Sequence, residues 1–250
     1  MSVRKRFGQN FLVDESAIDR IHTVLAIQPH DKVLEVGPGR GALTEGLLET
    51  GAQVVAIEID RELAAFLKGR YPTLEVIEGD VLELDVDKFS GMRVVGNLPY
   101  NIISPLLTRL LAQSLAIRDM NFMVQREVAQ RLTSDPGSKA WGRLSVTAQY
   151  HCDVTYLFDV ASEAFRPRPE VQSAFVRLEP RQRAVNPLDI EQFNLVVRQA
   201  FGQRRKRVGN ALKDLEISWH KVDIDPSLRA EQIDVEGFVR IANSCLSNCP

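Results

Sequence analysis

The sequence predicts an α/β protein with a mostly parallel sheet covered by helices, followed by a smaller helical region. Three observations carry this. Over the first 130 residues, short apolar runs alternate with segments of helical period, the grammar of parallel strands joined by crossover helices. A glycine-rich turn, Glu35-Val36-Gly37-Pro38-Gly39-Arg40-Gly41-Ala42, closes one apolar run and opens a helix. Beyond Pro187 the pattern is helical, with no strand-like alternation.

The elements follow in order. Asp14 is placed to cap a first helix that carries Ile18, Ile21 and Leu25 on one face. Residues 32–36 read as a buried strand, 41–50 as a helix and 53–58 as a second strand. Asp60 caps a helix over 61–70, residues 74–78 form a third strand and 92–96 a fourth. A helix over 103–113, a strand over 121–125 and a helix over 127–132 come next. Past the turn Ser134-Asp135-Pro136-Gly137, two late strands, 153–160 and 174–178, flank a proline-rich stretch and are expected to close one sheet edge antiparallel. Residues 180–187 read as a linker. After it, Leu195, Phe201, Val208, Leu212 and Leu215 can share one helical face. The expected division is an α/β domain over 1–181 and a helical domain over 182–250.

A chain of 250 residues, 44% hydrophobic and 26% charged, is large enough for one substantial core and a small appendage. The net charge of −2 hides an asymmetry. Residues 73–90 carry six acids against Lys88, whereas residues 177–213 carry nine bases against three acids. Local fields steer polyanions more than totals do, so the second block is a candidate nucleic-acid surface. Cys152, Cys245 and Cys249 form no Cys-x-x-Cys pair, and His22, His30, His151 and His220 share no ligand spacing. Neither a disulfide scaffold nor a metal site is expected. The N-terminal stretch carries bases without an apolar secretory core, and no apolar run approaches the roughly 20 residues that span a bilayer. A cytoplasmic, metal-free monomer that does not engage membranes is the expectation.

The glycine turn alone is open to two ligand classes. Gly37, Gly39 and Ala42 fit a dinucleotide fingerprint, and Glu58 stands where a ribose diol would be bound. A tight turn without ligand is also compatible with the glycines. Three further features favour a cationic, adenine-bearing cofactor. Glu35 puts a carboxylate at the strand end, which would repel a pyrophosphate but attract a sulfonium and an amino group. Asp80 ends the third strand, placed to accept an exocyclic amine. The fourth strand runs into Asn97-Leu98-Pro99-Tyr100. Ligands of open parallel sheets bind at the carboxyl ends of the strands, so these loops converge on one crevice.

The tetrapeptide carries the most specific chemistry. An adenine N6 is a poor nucleophile because its lone pair is delocalised into the ring. Methylating it calls for acceptors that hold the NH₂ in line with the methyl donor. The Asn97 amide oxygen and the Leu98 carbonyl, stiffened by Pro99, are two such acceptors. Tyr100 offers a face for an extruded base.

With these blocks in view, the sequence resembles the KsgA-type small-subunit ribosomal RNA adenine N6,N6-dimethyltransferases over nearly its whole length. The resemblance rests on 4–12 (Arg4-Lys5-Arg6-Phe7-Gly8-Gln9-Asn10-Phe11-Leu12), the glycine turn, Glu58-Ile59-Asp60 and Asn97-Leu98-Pro99-Tyr100. Further along, it rests on the 165–173 stretch (Phe165-Arg166-Pro167-Arg168-Pro169), Arg204-Arg205-Lys206 with Asn210-Ala211-Leu212, and Arg229-Ala230-Glu231. It implies a Rossmann-like class I methyltransferase domain with a small helical, rRNA-binding C-terminal domain, using S-adenosyl-L-methionine. It further implies that Asn10, Leu12, Gly37, Gly39, Glu58, Asp80 and Asn97 hold the cofactor, and that Tyr100 and Phe165 sandwich the target adenine. The implied partner is small-subunit rRNA in the immature 30S-type particle.

Two basic groups are the candidate RNA contacts: Arg4, Lys5 and Arg6, and the run Arg204, Arg205, Lys206 and Arg207. The second is expected on an amphipathic helix with no acid neutralising it locally. The competing functions are a large-subunit rRNA adenine methyltransferase of the macrolide-resistance type, a non-catalytic assembly factor on the same fold, and a DNA adenine methyltransferase. Intact Glu58, Asp80 and Asn97 weigh against lost catalysis, and the C-terminal blocks weigh for the small-subunit type.

Overall fold

The structure, a computed structural model, describes residues 9–99, 102–112, 116–183 and 185–246. Two compact units emerge, and the cut between them is not the single one expected at 181/182. One comprises residues 1–129 and 152–180, the other 130–151 and 181–250.

In the first unit, β2 (Lys32–Val36), β3 (Gln53–Glu58), β4 (Glu75–Glu78), β5 (Arg93–Asn97) and β6 (Asp119–Gln125) are parallel. β7 (Cys152–Val160) and β9 (Ser173–Pro180) add the expected antiparallel edge, giving the order β4-β3-β2-β5-β6-β9-β7. After their first residues β2 and β3 are buried along their whole length, inward and outward positions alike, as strands covered on both faces are. The flanking helices of this unit are α1 (Glu15–Leu25), α2 (Thr44–Glu49), α3 (Arg61–Arg70), α4 (Ile103–Ala112) and the start of α5 (Arg126–Leu132). Asp14 and Asp60 cap α1 and α3 as expected: Asp14 accepts from Ala17 N at 2.9 Å and Asp60 from Glu62 N at 2.8 Å.

Three features depart from the elements expected from the sequence. Helix α2 begins at Thr44 rather than 41 because Gly41 sits at φ +85°, outside helical space. A short ribbon, β1 (Phe11–Leu12) against β8 (Phe165–Arg166), stands apart from the main sheet. The amino ends of β2, β5 and β6 are tied by an ionic network that is buried except at Arg118. Arg93 bonds Asp31 at 3.1 Å and Asp119 at 2.9 Å, and Arg118 reaches Asp31 at 2.5 Å. No periodicity announces such a network.

The second unit packs α6 (Arg143–His151), α7 (Ile190–Gly202), α8 (Val208–Ala211), α9 (Trp219–Val222) and α10 (Val235–Leu246). Its core joins Trp141 and Val146 to Phe193, Val197, Val208 and Phe238. The Trp141 indole donates to Ile233 O at 3.0 Å, which is why 130–151 belongs to this unit. Helix α7 buries Phe193, Val196, Val197 and Ala200, while Leu195 and Phe201, expected on the buried face, are only partly covered. Among the described residues, no helix is long and apolar enough to cross a membrane.

Candidate functional site

The strand order reverses between β2 and β5, and the carboxyl ends of β2 to β5 open there into a cleft of about 400 Å³. All the described candidates for cofactor and catalysis line it. Asn10 and Leu12 come from β1 and the residues before it, Gly37 and Gly39 from the turn after β2, Glu58 from β3 and Asp80 from the turn after β4. Asn97, Leu98 and Pro99 come from the end of β5, and Phe165 from β8. Tyr100 and Arg4, Lys5 and Arg6 lie outside the described residues.

The glycine turn is built for close approach. Gly37 and Gly39 hold φ of +65° and +60°, where a side chain would strain the backbone. A Cβ on Gly39 would stand 3.1 Å from the Phe11 ring, so ring and turn are in close contact.

Two buried carboxyls define the electrostatics. Glu35 and Glu58 are each 2% exposed. Burial pushes the Glu35 carboxyl up to about 7, opposed by the Thr44 hydroxyl that donates to it at 2.7 Å and reinforced by the charge of Glu58. Burial also raises Glu58, against the amides of Asp60 and Gly39, which donate to its two oxygens at 2.9 and 3.0 Å. Each oxygen keeps a second lone pair, so a diol can still donate to this carboxylate. The Asp80 carboxylate accepts from Leu82 N at 2.8 Å, which orients it at the cleft wall. The Asn97 Nδ2 donates to Asn10 O at 3.0 Å, which makes Oδ1 the arm of the amide left for an incoming amine.

The Glu35 environment has a measurable consequence. Its folded value, about 7, lies above the ordinary 4.5, so its contribution to stability is fully present below about pH 4.5 and is lost as pH rises through 7. In the absence of ligand, Glu35→Gln should match the wild type near pH 4.5 and exceed it at pH 8 by roughly 3 kcal/mol. Denaturant titrations across that range test this. Parallel pH profiles would show that Glu35 is ionised at no cost.

Phe165 differs from its expected posture. It borders the cleft but is 1% exposed, packed in the same core as Leu12 and Phe175. Ladder pairing with Leu12 holds it there, so its ring is not an open platform in this conformation. Sequence reasoning did not single out Phe11, Arg40 or Ile59, which also line the cleft. The Arg40 guanidinium lies 4.9 Å over the Phe11 ring. Ile59 is 45% exposed directly after an acidic strand end, and that juxtaposition was the available signal.

The basic run in the second unit is not helical. Helix α7 ends at Gly202, residues 203–206 form a turn, and Arg207 makes an isolated bridge with Arg229. Nor is the run free of acids. Arg204 pairs with Glu231 at 2.9 Å and donates to Lys139 O at 2.6 Å, and the Ser227 hydroxyl and amide hold the Asp225 carboxyl below its ordinary value, with the charge of Arg207 adding a smaller pull in the same direction. Arg205, Lys206 and Arg207 are exposed.

Comparison with known proteins agrees with this geometry. The family profile described as ribosomal RNA adenine dimethylase matches residues 1–246. The chain is 48% identical over 261 residues to the ribosomal RNA small subunit methyltransferase A of Chromohalobacter salexigens, covering 99% of this chain and 93% of that protein. It is 47% identical to the protein of the same name from Pseudomonas savastanoi pv. phaseolicola, covering 96% and 94%. Among solved structures, a dimethyladenosine transferase from Plasmodium falciparum superposes with a TM-score of 0.77 at 25% identity, covering 92% and 95%. The 23S rRNA methyltransferase ErmE superposes at 0.75 and 26%, covering 94% and 99%.

Proposed function

The chain belongs to the ribosomal RNA adenine dimethylase family, and on that premise we propose that it methylates N6 of two adjacent adenosines near the 3′ end of small-subunit rRNA, giving N6,N6-dimethyladenosine. The substrate on this reading is the immature subunit particle, met by a monomeric protein in the cytoplasm. One observation carries the reading: the Asn97-Leu98-Pro99 end of β5 opens into the same cleft as Glu35, Glu58 and Asp80. The 46–48% identity to small-subunit enzymes over almost the full length favours that substrate over the large-subunit type.

The donor set suits S-adenosyl-L-methionine, which supplies an electrophilic methyl group on a sulfonium. Positive-φ glycines leave room for close approach, two buried carboxyls favour a cation, and the cleft volume is in the range for a cofactor of this size. Glu58 would hold the ribose hydroxyls, Asp80 the adenine amine, and Asn10, Leu12, Gly37 and Gly39 the remainder. Asn97 Oδ1 and Leu98 O accept hydrogen bonds from the target NH₂, which localises its lone pair toward the methyl. The proton leaves the more acidic methylated nitrogen to water, so no strong base is required. Tyr100 would stack the base, with Phe165 on its other face once that ring leaves the core position it holds here, and Arg205, Lys206 and Arg207 would contact phosphates, with Arg4, Lys5 and Arg6 doing so at the N-terminus.

Mass spectrometry of rRNA from unmodified small subunits, incubated with the protein and labelled cofactor, tests the reading. Two labelled methyls on each of two neighbouring adenosines is the expected result. Label only in large-subunit rRNA, or none in either, would overturn it.

A further inference from the structure

We propose that the β1–β8 ribbon couples the cofactor cleft to the target-base site, so that filling the cleft tightens binding of the substrate RNA. This rests on the function proposed above.

The ribbon touches both halves of the site through adjoining residues. On the cofactor side, Asn10, Phe11 and Leu12 line the cleft. The Phe11 ring lies against the Gly39 turn, whose amide donates to Glu58 at 3.0 Å. On the target side, Asn10 O receives the Asn97 Nδ2, which makes Asn10 a positioning residue for the amide that meets the amine. Leu12 pairs with Phe165 in the ladder, and Val13 N donates to Ala164 O at 2.8 Å. One short piece of backbone therefore sets the Asn97 amide, the Phe165 ring and the wall of the cleft together.

A ribbon of two residues per strand has little stability of its own. It stays seated through what it packs on, and its unseating is a low-energy local opening. A ligand in the cleft adds contacts to the Asn10–Leu12 face and shifts the population toward the seated state. That state is also the one in which the Asn97 amide is held by Asn10 O. Linkage makes the effect reciprocal: bound RNA must tighten the cofactor by the same factor.

Val13 gives a clean handle. The residue is 48% exposed and lies outside the cleft lining, while its N–H closes the ribbon. Val13→Pro removes that donor and puts the ring where the hydrogen bond was; Val13→Ala retains it. The experiment measures binding of unmodified small-subunit particles with and without saturating S-adenosylhomocysteine. In the wild type and Val13→Ala, the ligand should tighten binding about 10-fold. In Val13→Pro the two affinities should coincide. Hydrogen exchange on the wild type gives a readout independent of any variant: amides of 11–13 and 165–166 should slow when S-adenosylhomocysteine is added. Equal particle affinities in the wild type, coupling that persists in Val13→Pro, or unchanged exchange each overturn the proposal while leaving the methyltransferase reading intact. If calorimetry shows no binding of S-adenosylhomocysteine by the wild type, the functional reading fails and the coupling falls with it.

Discussion

Replacing Asn97 by alanine should lower methyl transfer by about 10²-fold or more while leaving cofactor-free binding to small-subunit particles unchanged. The magnitude is that of losing one preorganised polar group aimed at the reacting atom. The amide is preorganised because Asn10 O holds its nitrogen, so its oxygen does not have to be oriented during the reaction. Asn97→Asp separates orientation from acceptor chemistry. It keeps oxygens at the position but loses the donor, and places a carboxylate against the Asn10 carbonyl. It should therefore be nearly as slow as alanine. Single-turnover methyl incorporation and co-sedimentation on the same samples decide this. Full-rate methylation by Asn97→Ala would remove the residue from the chemistry and favour an assembly factor.

The second large effect lies in the helical unit, where the structure divides a run that looked uniform in sequence. Arg205 and Lys206 are exposed on the turn after α7, whereas Arg204 spends its donors on Glu231, Lys139 O and Trp141 O. Arg205→Glu with Lys206→Glu should weaken particle binding by about two orders of magnitude at low salt. It should also flatten the dependence of log K on log salt by roughly 0.7 to 0.9 per lost phosphate contact. Cofactor affinity should not change. Arg204→Ala should instead destabilise the helical unit by no more than about 1 kcal/mol, because the ion pair with Glu231 and the bond to Lys139 O that it loses are solvent-exposed. It should bind particles nearly normally below its melting transition. Sedimentation across a salt series, with thermal melts of the free proteins, separates the two outcomes. Normal binding by the double reversal would make this turn a solvated surface.

Elements that bury a regular stripe or a continuous apolar run were readable in sequence. Strands at 32–36 and 53–58, and the helix capped by Asp60, appear with the expected bounds because burial period and capping chemistry agree. The site was readable for a related reason: its residues terminate those strands. What stayed hidden depends on contacts distant in sequence. Two-residue strands such as β1 and β8 have no period. Helix α6 buries Ser145 beside Val146 and Ala148, and that serine is satisfied by Arg131 O at 2.6 Å, a tertiary partner no pattern reveals. The run at 204–207 looked helical because arginine and lysine are good helix formers with apolar residues at helical spacing around them. The turn is imposed by Val208 N on Leu228 O at 2.7 Å and Gly209 N on Pro226 O at 3.0 Å.

The second unit is assembled from two separate stretches of chain, and this bears on how the protein can be dismantled or recombined. A truncation after residue 181 would keep 130–151 but strip Trp141 of its bond to Ile233 O and of its core neighbours on α7 and α10. The reciprocal fragment, 182–250, would keep a core with that indole missing. Neither piece is a module. A chimera that exchanges substrate preference between related enzymes must therefore move three junctions at once, at 129/130, 151/152 and 180/181. The same packing sets the terms for substitution in this unit: a change of volume at Trp141 or Val146 has to be accommodated by the side chains of 193–238 that share its core.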